Sequence, residues 1–290
     1  MQKDRRSPSG EGARTLWKLL EPIHAVVYFA PEVTAAFADR GLKGFWRGYF
    51  AARSAPMGAV GPGAVTAAFY GFHPDFVARS VPEIWSVVSP QSALEARLDG
   101  VGRCFGRLGI DEADPRWAMA ASALVDALHA APVGGRPIFA ANRGLEVPDA
   151  PLPALWHAAT MYREYRGDGH VAALLTNDLD GLESTVLRLA VDGTPREVIE
   201  PHRGWTQQDW SEALDRLVQR GLIDRQHQAT VAGLQVHRHV ENLTDDLCAA
   251  AISSLGERFA AVLDAVAPLA DMAATQVPYP NPMGVPRREV

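Results

Sequence analysis

The segment HAATMYREYRGDGH, residues 157–170, concentrates more chemically versatile side chains than any other stretch of the chain. Its imidazoles can transfer protons near neutral pH or ligate a metal, and its guanidiniums can hold an anion through a planar fork of donors. At helical spacing His157, Met161 and Tyr165 share a face, which turns His157 and Tyr165 toward an interior. Gly167 and Gly169 bracket Asp168 and predict a turn between a helix over 155–166 and another opening near His170. His157, Arg166 and His170 are therefore candidate catalytic groups, and Tyr162, Tyr165 and Asp168 candidate ligand contacts. A plainer reading uses the same residues. Asp168 caps the helix near His170, Arg166 complements the end of the preceding helix, and His157 is a hydrogen-bonded core histidine.

A second row lies in EPIHAVVYFAPE, where His24 and Tyr28 fall four residues apart on one helix face, flanked by Glu21 and Glu32. It offers an imidazole base or ligand and a phenol donor, while a packed helix with exposed glutamates accounts for it as well. Tyr49, Arg53 and Met57 repeat the spacing of Tyr162, Arg166 and His170, which raises a degenerate tandem duplication around a central pocket and adds Arg53 to the ligand contacts. His73 stands in a Pro-bounded turn, where a structural hydrogen bond is expected. His24, His73, His157 and His170 meet at a metal or haem only if the two halves face each other, so the sequence names no metal and no cofactor. HExxH, GxxxxGK, GxGxxG and GxSxG are absent, which removes the motifs of zinc proteases, nucleotide and dinucleotide binding and serine hydrolases.

The elements that must position these groups read as helices. Hydrophobic residues are 47% and charged residues 21% of the 290-residue chain, the balance of an ordinary globular protein. The apolar run 23–30 ends at Pro31, short of the roughly 20 residues a membrane span needs, and residues 1–12 are polar; a cytoplasmic protein without a membrane partner is expected. Cys104 and Cys248 lack disulfide or metal spacing and read as buried thiols. Helices are predicted over 15–30 with a kink at Pro22, then over 31–40, 42–53, 64–70, 74–80, 82–88, 90–108 and 114–130. Five prolines and three glycines in 132–153 make the strongest linker signal. The predicted organisation is a disordered tail over 1–14, a helical domain over 15–131, a linker over 132–153, a winged-helix-like domain over 154–274, and a Pro-rich strap or tail over 275–290 that closes the pocket if ordered.

Residues 205–219 place Trp210, Leu214 and Leu217 on one face behind a Thr206 cap. Residues 222–224 and 229–231 predict two short wing strands, and a closing helix follows from Ala232. This grammar resembles MarR-type winged-helix proteins. The strings LWKLLEPIHAVVYFAPE, GFWRGYFAARSAPMGAVGPGAV, LWHAATMYREYRGDGHVAALL and PYPNPMGVP resemble an actinobacterial winged helix-turn-helix-like family over nearly the whole chain. The resemblance implies a mainly α fold with winged helix-turn-helix-like domains and carries no catalytic assignment. A DNA reader anchors its recognition helix through cations on phosphates. Here that helix sets Asp209, Glu212 and Asp215 against Arg216 and Arg220, on a chain of net charge −6. The expected function is thus binding of a small-molecule ligand, substrate or cofactor in a polar pocket between two halves, with an enzyme of specialised metabolism as one form of it. A MarR-type DNA-binding regulator is the alternative, and the sequence does not set the oligomeric state.

Overall fold

A computed structural model describes residues 8–287; residues 1–7 of the expected tail and 288–290 of the expected strap lie outside the described residues. The described chain forms α1 (Pro8–Phe29), α2 (Pro31–Ala38), α3 (Phe45–Ser54), α4 (Pro62–Phe69), α5 (Pro74–Ala78), α6 (Ile84–Val87), α7 (Pro90–Arg107), α8 (Pro115–Ala130), α9 (Pro137–Arg143) and α10 (Pro151–Thr176), followed by α11 (Gly181–Asp192), α12 (Gln207–Gln219), α13 (Val231–Asp246), α14 (Ala249–Leu255) and α15 (Phe259–Ala274). Proline opens α2, α4, α5, α7, α8, α9 and α10, where its fixed φ suits a first turn whose N–H groups have no intrahelical acceptor. Pro137 and Pro151 of the 132–153 segment therefore start helices, and that segment carries α9 packed on α10 in place of a bare linker.

Two further expectations are corrected. Residues 8–14 are the opening of α1, not tail, because they have partners: the Tyr162 hydroxyl donates to the Ala13 carbonyl at 2.8 Å, and Arg14 Nε donates to Asp245 Oδ2 at 2.9 Å. The turn expected at Gly167-Asp168-Gly169 is absent, since α10 runs unbroken for 26 residues. Gly169 serves packing. A Cβ at 169 would stand 2.9 Å from Arg136 Nη1, whose guanidinium lies on the Tyr165 ring and donates to the carbonyls of Tyr165 and Leu247.

The hydrophobic residues gather into two cores that part along α10. The larger joins Ala13 through Tyr165 with Cys248 through Val285, so α1 to α9 and the two last helices share one interior. The smaller runs from Ala173 and Leu174 at the end of α10 through Leu187 and Trp210 to Val240. It builds a helix-turn-helix: α11, capped by Asp180 with Glu183 answering in a capping box, then two 3₁₀ turns (Arg196–Val198 and Glu200–His202), then α12, capped by Thr206 with Asp209. The wing expected as two strands is one antiparallel bridge, Ile223 to Ala229. Asp224 Oδ1 accepts from the backbone of Gln226 and Gln228, both at 2.9 Å, and Thr230 already caps α13, so the chain turns into a helix before a second strand can lengthen.

Gly233 lets α13 rest on this wing, since a Cβ there would stand 2.0 Å from the Leu222 carbonyl oxygen. Gly233→Ala is expected to cost about 2 kcal/mol by overpacking, read as a fall of about 4–8 °C in Tm; an unchanged Tm would show that the wing is not held by this contact.

Candidate functional site

Charge is buried along α10 and neutralised by helices on either side. Glu164 takes both arms of Arg53 on α3, Nε to Oε1 at 3.0 Å and Nη2 to Oε2 at 3.1 Å, while Arg163 Nη1 reaches Oε2 at 2.9 Å. Arg53 also donates to the Tyr49 hydroxyl at 3.1 Å and lies over the Phe69 ring. Burial alone would raise the Glu164 carboxyl; Arg163 and Arg53 outweigh it and hold the group down at about 2. One turn on, Arg166 Nη2 donates to Asp245 Oδ1 at 3.1 Å and Glu241 Oε2 at 3.4 Å on α13 and lies over Trp17, with Arg14 bound to the same two carboxylates. This second network ties α1 and α10 to the helix-turn-helix unit.

Between the body and that unit lies a cleft of about 880 Å³. Tyr49, Arg53, Phe69, Phe72 and Arg163 line its body side, and Leu174, Leu179, Leu187 and Val240 its other side. Trp17, Arg166, His170 and Glu241 border it, and residues 279–287 of the C-terminal strap run along it. Asn281 shapes the strap, its Oδ1 accepting from Met283 and Val285 backbone N–H groups at 3.1 and 3.0 Å. His170 brings an acceptor to the cleft. The Thr244 hydroxyl donates to the Val240 carbonyl at 2.7 Å and so accepts from His170 Nδ1 at 3.0 Å, which puts the proton on Nδ1 and the lone pair on Nε2. Burial, opposed by Glu241, lowers His170 to about 4.

The sequence candidates thus divide. Arg53, Arg166 and His170 reach the cleft. His24 and Tyr28 sit behind Arg53 around a void of about 10 Å³, room for no more than one water. There the Thr160 hydroxyl donates to the Trp156 carbonyl, so His24 Nδ1–H donates to Thr160 at 3.0 Å and Tyr28 O–H to His24 Nε2 at 2.7 Å. Tyr162, Tyr165 and Asp168 turn to the core: Tyr162 holds α1, Tyr165 stacks under Arg136, and Asp168 Oδ2 accepts from Phe139 N at 2.9 Å, capping α9 and not a helix of its own. Burial pushes Asp168 up to about 6. His157 is buried elsewhere with Nε2 unpartnered, so it does not join His170 and Arg166, and Tyr162 and Arg166 do not repeat the Tyr49–Arg53 contact. His73 caps α5, its Nδ1 accepting from Asp75 N. Among the described residues no three metal-ligating side chains converge. Glu164, Glu241, Arg188 and Arg203 were missed; only Glu164, the lone carboxylate in a Tyr-Arg-rich run, left a local hint.

The exposed side of α12 presents Gln207, Gln208, Ser211, Glu212, Asp215 and Gln219. Its cations are paired at the surface within the unit: Arg216 with Glu183 at 2.7 Å and Asp180 at 2.8 Å, Arg220 with the carbonyls of Asp178 and Asn177. Among the described residues no helix is long and apolar enough to cross a membrane. The model of a helix-turn-helix family matches residues 13–280. No curated protein and no solved structure matches the chain.

Glu164→Gln strands Arg53 and is expected to destabilise the chain by about 3–5 kcal/mol, seen as a lower denaturant midpoint, while Arg53→Met combined with Glu164→Leu recovers most of the loss. A double variant as unstable as the single would show that the pair does more than neutralise charge. Stability is expected to fall as pH drops from about 6.5 to about 4, because the unfolded chain protonates His157 and His170 while the folded chain, holding both near 4, does not. Asp168, protonated in the folded state up to about 6, works in the opposite sense over the lower part of that range. His157→Gln should remove up to one proton of this uptake, measured as a flatter pH dependence of the unfolding free energy; an unaltered slope would mean that His157 titrates normally.

Proposed function

Starting from a chain that belongs to a helix-turn-helix family, we propose that it binds a small molecule in the cleft between its helical body and its winged helix-turn-helix unit, and that it does so in the cytoplasm. The observation that carries this reading is the cleft itself. At about 880 Å³ it lies within the range of drug-sized and cofactor sites, and its lining mixes aromatic and aliphatic side chains with many charged ones, arginines above all. Within this reading His170 supplies a proton acceptor through Nε2, held by Thr244, and Arg166 fixes the border where the unit meets the body.

Membership of a helix-turn-helix family is consistent with a second reading, a DNA-binding regulator, for which the wing grammar suggests the MarR type. The acidic and amide-rich exposed side of α12 speaks against tight contact with a duplex, since phosphate binding needs cations where Glu212 and Asp215 stand. A regulator of this kind would retard duplex DNA at low salt; no retardation is expected.

Binding is testable without the natural ligand. N-phenyl-1-naphthylamine, a neutral dye that brightens in apolar sites, is expected to bind with a Kd on the order of 10 μM, and Val171→Trp, which fills the cleft from α10, to weaken it by about tenfold or more. Absence of binding, or equal binding by the variant, would overturn the cleft as a ligand site.

A further inference from the structure

Arg203 enters the cleft wall as a cation that, among the described residues, has no carboxylate within ion-pair distance. Its guanidinium lies 4.6 Å from the Phe72 ring centroid, and Nη1 and Nη2 donate to the carbonyls of His202 at 3.2 Å and Pro282 at 2.6 Å. Carbonyl oxygens satisfy its protons but leave its charge in place. Its neighbours in the cleft are treated differently: Arg53, Arg163 and Arg166 each hold a carboxylate within ion-pair distance. Arg188 comes to the same place from α11. A Cβ at Gly284 of the strap would stand 3.0 Å from Arg188 Nη1, and among the described residues the carboxylate on Arg188 is Asp192, at 3.4 Å and partly exposed. Burial first, then the charges of Arg188 and Arg53, pull Arg203 down to about 10, with Tyr49 opposing. Among the described residues the lining sets eight arginine and lysine side chains against three carboxylates, and with Glu164 and Asp245 behind it the cations still outnumber the carboxylates on a chain that is acidic as a whole.

We propose that the cleft takes an organic oxyanion, a carboxylate or phosphate on an apolar body, whose charged end is seated by Arg203 and Arg188 beside the C-terminal strap; this rests on the reading of the cleft as a ligand site. The arrangement suits such a molecule at both ends. Two guanidiniums on different elements offer paired N–H donors to one oxyanion, which removes their mutual repulsion. Phe72 beneath Arg203 and Leu187 on the facing side receive the apolar part. The strap contributes the third side, since Pro282 and Gly284 touch the two arginines.

The full-length protein and a matched pair of dyes test this. The probe 8-anilino-1-naphthalenesulfonate is N-phenyl-1-naphthylamine with a sulfonate added, so the ratio of their affinities reads the oxyanion alone. The charged dye is expected to bind about tenfold tighter or more, the worth of a charge-assisted pair, and Arg203→Met to bring the ratio below about threefold, with Arg203→Lys between. Arg188→Met, on a separate helix, should lower the ratio independently, and circular dichroism confirms that each variant is folded. Displacement of the charged dye by decanoate or by decyl phosphate identifies the carboxylate or the phosphate as the preferred head; displacement by neither overturns the proposal. Equal affinities of the two dyes for the unaltered protein, or a ratio unmoved in both arginine variants, overturn the oxyanion site and leave the cleft standing. Failure of both dyes to bind overturns the cleft reading with it.

Discussion

A buried guanidinium must meet a carboxylate or remain a costly charge, and this constraint organises the molecule around α10. Glu164 and Arg166, two residues apart, face opposite partners: Glu164 draws in Arg53 from α3, and Arg166 is met by Glu241 and Asp245 from α13. A helix of 26 residues with few exposed positions cannot be placed in a single layer, so it takes body helices along most of its length and the helix-turn-helix unit at its end. Gly169, in a stretch that looks like a break in the sequence, is the accommodation this demands, since Arg136 crosses α10 where that residue has no side chain.

That shared helix has a mechanical consequence. Because α10 supplies Tyr165 to one core and Leu174 to the other, and because Arg14 and Arg166 both bind α13, the winged unit is attached to the body by packed and charge-paired contacts on two sides. The cleft is the space left between them. A molecule that enters it touches α10, α11, α13 and the strap together, so its binding energy acts across the junction of the two parts.

Family membership and local electrostatics point in different directions here, and the difference is physical. The helix-turn-helix is a packing solution for three short helices and a turn, kept by Trp210, Leu217 and Ile223 in the interior. Reading DNA depends instead on what the outer side of α12 carries, and there Arg216 is paired with Asp180 and Glu183 while Glu212 and Asp215 stand exposed. A helix-turn-helix fold by itself therefore does not assign DNA reading.

The sequence by itself determined many of the helix starts. Prolines, Asp114, Asp180 and Thr206 act within a turn of their own position, so the starts of α2, α7, α8, α11 and α12 are legible from neighbouring residues. Local residues also set the acidic character of α12 and the mainly α class. What only the tertiary structure decided is every choice that depends on a partner far along the chain. Gly169 sits inside a continuous helix, leaving room for Arg136, which arrives from another element. The wing shrinks to one bridge because Thr230 caps α13 first. Arg53 finds Glu164 at a separation of 111 residues. The candidate residues were sorted by the same rule: a histidine, tyrosine or arginine shows its chemistry in its type, but whether it meets a cleft, a one-water void or the core is set by the helix that packs against it.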